Sequence, residues 1–393
     1  MKRLTNREMS TLLNGICPYF TMFPLDFPYR ILARHAGPSQ TVLDPFCGRG
    51  TTNFAARLLG LYSVGIDASP VAAAVAAAKL VSPTVEEILA EAKAILQRPP
   101  AAHVPAGEFW ELAYHPTVLQ AIARFREAFL EDCTTPARIA LRAILMGALH
   151  GPKRKTLPSY LSNQSPRTYA PKPRYAVRYW RSRNLLPDNV DVLGVIERRV
   201  RRYYGSAAPN PGGIVRWADS RRREAFELSQ AHDALAFLPS ADGDAAARGA
   251  APNRPRSFNW IITSPPYYGM TTYIPDQWLR HWFVGGPDEV EYSVAGQLAH
   301  SSPDEFAADL QRVWRNVHAV AADDARLVVR FGGVSQRKAD PRAVLEASLA
   351  GSGWRIVDIR PAGTAKNGYR QADGFLKQPS TPGEEFDVWA RPD

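Results

Sequence analysis

Ser264, Pro265, Pro266 and Tyr267 follow directly on Phe258-Asn-Trp-Ile-Ile-Thr263, an apolar run of the kind that forms a buried strand. Two consecutive prolines cannot extend a sheet ladder, so the chain must leave the sheet there with restricted φ angles. A stiff turn fixes the direction of the Pro265 carbonyl, and the Ser264 hydroxyl beside it makes a second acceptor. Two acceptors suit the two hydrogens of one –NH2 group, and Tyr267 offers a flat face to a planar ring. An amine on an aromatic ring has a delocalised lone pair and is a weak nucleophile. Holding both hydrogens favours a pyramidal nitrogen, whose lone pair is then free for in-line attack on a sulfonium methyl. Positioning and electrostatics supply the rate, and no covalent intermediate is needed. The plainer alternative is a proline-rich strand exit of structural use alone.

A second constellation lies upstream. Asp44-Pro-Phe-Cys-Gly-Arg-Gly-Thr-Thr52 follows the short apolar run Thr41–Leu43 and leads into residues 51–61, whose apolar positions recur at helical spacing. Gly48 and Gly50 remove side chains where a ligand must approach the backbone, and the next helix offers N–H groups to an anionic group. Tyr62–Ile66 reads as a second strand ending at Asp67, a carboxylate placed to take both hydroxyls of a ribose. Asn53 stands where a dinucleotide fingerprint has its third glycine, and no Gly-Lys-Ser/Thr follows, so a nucleotide-phosphate P-loop is not indicated. An ordinary α/β turn with a surface acid is the alternative.

Charge marks a third region. The 393 residues carry 48 Lys and Arg against 38 Asp and Glu, a net +10. Between Pro152 and Arg202, 13 basic residues meet 3 acidic ones, so the whole excess lies there. Tyr160, Tyr169, Tyr175, Tyr179 and Trp180 are interleaved, which fits a polyanion-binding surface better than a merely solvated face. Lys153, Arg154, Lys155, Arg167, Lys172 and Arg174 would contact phosphates, with Tyr169 and Tyr175 stacking or reaching a groove.

The elements that must position these groups read as an α/β chain. Strand, glycine turn, helix, strand, acid and helix follow one another from Thr41, with Ser69-Pro70 opening an alanine-rich helix, as in a doubly wound sheet. Thr84 to Leu149 is mainly helical, broken at Pro99-Pro100 and Pro136, and Asp191–Tyr204 returns to helical periodicity. Gly213–Trp217 is a strand before Asp219. Residues 240–257 lack periodicity and read as a mobile surface loop. Pro303–Ala322 is a helix, Arg326–Phe331 a strand, and Trp354–Ile359 and Phe386–Ala390 are late strands.

These residues resemble the amino-group DNA methyltransferases, enzymes that use S-adenosyl-L-methionine to methylate cytosine N4 or adenine N6. DPFCGRGT (Asp44–Thr51) is similar to their cofactor loop, Asp67 to their ribose-binding acid and TSPPYYG (Thr263–Gly269) to their catalytic segment. Tyr19–Pro24 resembles the stretch that covers the methionine end of the cofactor, and Trp217–Ser220 the position near its adenine ring. The resemblance implies a Rossmann-like, seven-stranded, mostly parallel methyltransferase sheet with an inserted helical and basic region. The catalytic domain would be residues 1–83 and 205–393, and residues 84–204 would recognise the DNA target. It implies S-adenosyl-L-methionine as cofactor, bound by Phe23, Pro24, Asp44, Phe46, Gly48, Gly50, Thr51, Asp67 and Asp219. Catalysis would fall to Ser264, Pro265, Pro266 and Tyr267 on a base extruded from double-stranded DNA. Serine at the first catalytic position is the more usual choice of cytosine N4 enzymes. The order of the motifs, cofactor loop first, is closer to a group rich in adenine enzymes. A cognate restriction endonuclease is a further implied partner.

Other chemistries fit less well. Cytosine C5 methylation needs a nucleophilic thiolate, usually in a Pro-Cys pair, but Cys17 precedes its proline, Cys47 lies inside the glycine turn and Cys133 in a turn between helices. Three distant cysteines form no disulfide framework, and the eight histidines are scattered, so no metal site is expected. His281 reads as part of a packed helix face, while Tyr268, Tyr273 and Trp278 either line a base pocket or simply pack. The apolar run from Val71 ends at Lys79, too short for a membrane span, and a cytoplasmic protein is expected. RNA or protein-amide methylation, or a DNA-binding module with an inactive core, are the competing functions.

Overall fold

Seven strands support the Ser264–Tyr267 segment: β1 (Thr41–Asp44), β2 (Tyr62–Asp67), β3 (Gly213–Trp217), β4 (Phe258–Thr263), β5 (Ala321–Gly332), β6 (Trp354–Thr364) and β7 (Glu384–Pro392). They form one sheet in the order β3-β2-β1-β4-β5-β7-β6. From β3 to β5 every neighbouring pair is parallel, and β7 runs antiparallel to both β5 and β6. This is the seven-stranded methyltransferase sheet that the resemblance implies. The computed structural model describes residues 12–18, 23–151, 158–164, 171–206, 212–227, 257–270, 273–292, 296–333, 339–364 and 384–393.

Alternation along the strands explains why they stay in the sheet. Leu43, Ile261, Leu327 and Val329 enter one core, with Phe306, Leu310 and Trp314 of the Pro303–His318 helix. Val42, Trp260, Ile262 and Val328 enter another on the opposite face, with Phe27, Leu32, Ala55 and Ala56. Side chains of period two thus feed two buried layers, so the central strands read as continuous apolar runs. The Pro70–Ala78 helix is buried from Val71 to Ala78, and its small side chains let the glycine turn approach closely. Ser69 caps it, accepting the Ala72 N–H at 3.3 Å, with Pro70 in the first turn.

One expected helix end is corrected. The alanine-rich Ala319–Ala322 stretch was expected to finish the helix, yet the helix stops at His318 and β5 begins at Ala321. The Phe258 N–H donates to Val320 O at 2.9 Å and Phe258 pairs with Ala321, so strand pairing overrides local helix propensity.

Chain contacts divide the molecule into two units. The sheet unit holds Thr21–Leu80, Pro209–Thr271 and Val294–Asp393; the helical unit holds Met1–Phe20, Val81–Ala208 and Thr272–Ser293. The helical unit therefore takes in two stretches outside residues 84–204. It contains the helices Val85–Leu96, Glu108–Ala113, Pro116–Glu131, Pro136–Ala148, Pro173–Arg181, Val192–Tyr204 and Tyr273–Phe283. Thr84 and Glu87 close the first with a reciprocal capping box. Among the described residues no helix is long and apolar enough to cross a membrane, and no group of His, Cys, Asp and Glu could hold a metal ion.

Candidate active site

Strands β1 and β4 lie side by side and parallel, so Asp44 and Thr263 end at the same edge. There the Thr263 hydroxyl donates to Asp44 Oδ1 at 2.6 Å, and both side chains are fully buried. A second tie runs from the Thr52 hydroxyl to Ile262 O at 3.0 Å. These two bonds join the glycine turn to the last residues before Ser264, across more than 200 positions of sequence. Neither threonine figured among the expected site residues; a polar residue closing an otherwise apolar strand is the signal that marks Thr263.

The turn itself is held by Asp67. Gly48 N–H donates to Asp67 Oδ2 and Ser69 N–H to Oδ1, each at 2.8 Å. Burial pushes the Asp67 pKa up to about 6 against those two donors. Each carboxylate oxygen keeps a second lone pair, so the backbone bonds orient the group and leave it able to accept more. The two glycines serve different ends. Gly48 has φ 51°, and a Cβ there would meet nothing within 4 Å. Gly50 has φ 75°, and a Cβ would stand 2.7 Å from Ala76 Cβ. Gly50 is thus required by its helix neighbour, while Gly48 opens on free space.

Asp44 shows what a ligand would add. Its Oδ1 accepts from Thr263 and from the Phe46 N–H at 3.2 Å, while buried Oδ2 has no hydrogen-bond partner among the described residues. Burial raises its pKa to about 7; the nearby hydroxyls of Thr263 and Thr52 and the Phe46 N–H pull the other way, and Asp67 adds to the rise. An unpaired buried carboxylate oxygen is costly in isolation. Together with the space over Gly48 and the Asp67 carboxylate, it fits a cofactor that brings hydrogen-bond donors.

The expected catalytic segment, Ser264–Tyr267, leaves β4 as its prolines require. Pro265 is buried, and Ser264, Pro266 and Tyr267 are half-buried. Tyr267 is held at both ends: its ring meets Phe331 at 5.4 Å and 72°, and its hydroxyl donates to Glu385 Oε1 at 2.9 Å. Tyr268 lies against His300 and Phe306, with ring centres 6.1 and 5.6 Å away. Gly269 N–H donates to His300 Nδ1 at 3.0 Å, which fastens the far end of the turn. Glu385 and His300 carry no sequence signal, since both come from elements remote in the chain.

Several expected cofactor residues sit differently. The Phe46 ring packs against Trp314 at 6.1 Å, on the edge of the core. Thr51 is the first residue of its helix and is buried. Phe23 meets Phe27 edge-to-face at 5.4 Å, and Pro24 is exposed, its carbonyl accepting the Phe27 N–H. Asp219 is held within the chain by Arg221. Arg221 donates from Nε to both carboxylate oxygens, from a terminal nitrogen to Oδ2 at 2.7 Å and from its N–H to Oδ1. Burial acts against the Asp219 charge, but these bonds outweigh it and lower its pKa. The carboxylate is thus committed to Arg221, which also reaches Asp309 at 2.8 Å. At the end of β3 the exposed group is instead Trp217, whose Nε1 donates to Ala68 O next to Asp67. Burial pushes the Cys47 thiol well up, unlike an activated nucleophile.

In the helical unit, Lys153, Arg154, Lys155, Arg167 and Tyr169 lie outside the described residues. Lys172 and Arg174 are exposed, with Lys172 3.8 Å from Asp276. Arg174, Arg178 and Arg181 recur at helical spacing on the solvent face of Pro173–Arg181, beside Tyr175 at 62% exposure. The aromatic interleaving is partly corrected. Trp180 is fully buried against Phe109, and buried Tyr160 lies under Arg199, so both are core residues. Trp278 packs as well, its Nε1 donating to Pro171 O at 2.7 Å. His281 is half-buried and its pKa is lowered by burial, with Glu291 opposing.

The DNA methylase family model for N6 and N4 enzymes matches residues 2–78, the segment that holds Asp44, Gly48, Gly50 and Asp67. Over that segment the chain is similar to the N6 and N4 amino-methyltransferases. The Type II methyltransferase M.MjaII of Methanocaldococcus jannaschii is 35% identical over 77 residues, which are 20% of this chain and 14% of that protein. The chain thus matches only a small part of the length of this curated relative. Two solved structures of the rRNA methyltransferase aviRa from Streptomyces viridochromogenes align with 97% of this chain and 92% of theirs at 14% identity. Their TM-scores are 0.34 and 0.33, and likeness at that level says nothing of this chain's chemistry.

Proposed function

We propose that this protein is an amino-methyltransferase, transferring a methyl group from S-adenosyl-L-methionine to the exocyclic amine of a base in DNA, with cytosine N4 as the target. The observation that carries the proposal is the Thr263–Asp44 hydrogen bond, which sets the catalytic segment and the glycine turn at one sheet edge. The cofactor supplies an electrophilic sulfonium methyl. Asp67 would accept its ribose hydroxyls, Asp44 Oδ2 a further donor, and the open space over Gly48 would admit it to the backbone. Trp217, beside Asp67, offers a flat face for its adenine ring.

The chain's own work is to grip and orient the amine. Ser264 Oγ and the Pro265 carbonyl accept its two hydrogens, and the paired prolines keep that geometry stiff. Tyr267 stacks on the extruded base. The nitrogen–methyl bond would form as the donor's methyl–sulfur bond breaks, leaving the neutral thioether S-adenosyl-L-homocysteine. The proton given up by the amine would pass to solvent, eased by the acceptors already holding its hydrogens. Arg174 and Arg178, with Tyr175 between them, supply a basic and aromatic face for the phosphate backbone.

The test is incorporation of tritium from labelled cofactor into unmethylated DNA, followed by mass spectrometry of the nucleosides. N4-methylcytosine is expected. A second reading, adenine N6, is favoured by the order of the motifs and would give N6-methyladenine. Label entering RNA and not DNA would overturn the assignment of the substrate.

A further inference from the structure

We infer that Glu385 and Gly332 are positioning residues that fix the plane of the Tyr267 ring, an inference that rests on Ser264–Tyr267 being the catalytic segment. Neither residue is near that segment in sequence: Gly332 ends β5, Glu385 is the second residue of β7, and the two are paired partners in the antiparallel ladder. The ring is constrained by contacts of different kinds. Phe331 meets it edge-to-face, and the Glu385 carboxylate takes its hydroxyl at 2.9 Å. A hydroxyl bond to a carboxylate is of the stronger, charge-assisted kind and removes the rotation about χ that a free tyrosine retains.

Gly332 makes this seat possible through space and not through backbone conformation. A Cβ at Gly332 would lie 2.8 Å from Glu385 Cγ, 3.1 Å from Glu384 O and 3.3 Å from Tyr267 Cε2. Any side chain there would wedge between the carboxylate and the ring. A stacking platform works only if its plane is set before the base arrives, and an error of about 1 Å in placement can cost about a hundredfold in rate. The seventh strand therefore has a role in the reaction beyond pairing in the sheet: Glu385 near its start holds the base platform still.

The experiment measures kcat and KM with tritiated S-adenosyl-L-methionine and unmethylated genomic DNA, with a thermal melt of each variant. Tyr267→Phe and Glu385→Ala are each expected to lower kcat by about tenfold or more, while cofactor affinity by calorimetry stays within about twofold. Glu385→Gln, which keeps an acceptor oxygen, is expected to rescue kcat to near the parent value. The double variant should be no worse than either single one, because both remove the same bond. Gly332→Ala should lower kcat in the same way with Glu385 intact. If Tyr267→Phe and Glu385→Ala keep the parent kcat while Tyr267→Ala loses activity, the positioning role is overturned and the catalytic assignment stands. Full activity in Tyr267→Ala would instead remove the catalytic assignment itself, and this inference with it.

Discussion

Thr263 and Asp44 are joined by a 2.6 Å hydrogen bond although 219 residues separate them. The bond does two things at once: it locks the end of β4 to the end of β1, and it opposes the rise that burial imposes on the Asp44 pKa. Thr263→Val keeps the shape of the side chain and removes the donor. Folding stability in urea should fall by about 1–3 kcal/mol, the worth of one buried hydrogen bond to a carboxyl oxygen that keeps the Phe46 N–H. An unchanged midpoint and slope would show that the bond contributes nothing.

Asp44 also gives a pH prediction. Its folded pKa, about 7, lies above the ordinary carboxylate value of 3.8, so the folded protein holds the proton more tightly than the unfolded chain. The stability this contributes is full below about pH 4 and is lost as pH rises through about 7. Asp44→Asn has no such proton to lose. In denaturant titrations without cofactor, the variant should therefore gain on the parent between about pH 4 and pH 8. Parallel pH profiles for the two proteins would contradict the burial argument.

Cofactor affinity should follow Asp67. Because its pKa is raised to about 6, the carboxylate is charged at neutral pH and protonated in mild acid. A protonated carboxyl accepts less well, so affinity should fall by up to about tenfold per pH unit below about 6. Asp67→Ala should weaken binding at pH 7 and flatten that dependence. Calorimetry across the range reads both effects, and equal affinity at pH 5 and pH 7.5 would refute the role.

Removing the amine grip should separate binding from chemistry. Ser264→Ala is expected to reduce methyl transfer by about 10²–10³, the usual cost of one transition-state hydrogen bond. Binding of S-adenosyl-L-methionine should be nearly unchanged, since Ser264 is assigned to the base. Parent-level turnover in this variant is the result that excludes it from the site.

Nucleic-acid binding by the Pro173–Arg181 helix makes a salt prediction. The logarithm of affinity for duplex DNA should decline with log salt by about 0.9 per phosphate neutralised. Arg174→Ala and Arg178→Ala should each reduce that slope by about one. A slope that neither substitution alters would move the interface elsewhere.

The sequence by itself determined the local pieces. Two prolines after an apolar strand dictate an exit turn, and glycines between strand and helix dictate a tight turn, because φ restriction and the lack of a Cβ act within a few residues. The alternating cores were visible as apolar runs, and the acid closing Tyr62–Asp67 stood at the strand end where it was expected. What Asp44, Asp219 and Tyr267 do was decided by the tertiary structure. Asp219 is held by Arg221, Asp44 gained its unpaired oxygen from burial, and Tyr267 took its partner from a strand 118 residues away. Trp180 and Tyr160 illustrate the same limit: spacing among arginines suggested a surface, and packing put them in the core. Such roles depend on which atoms meet through space, and hydrogen bonds and desolvation come from those meetings and not from order along the chain.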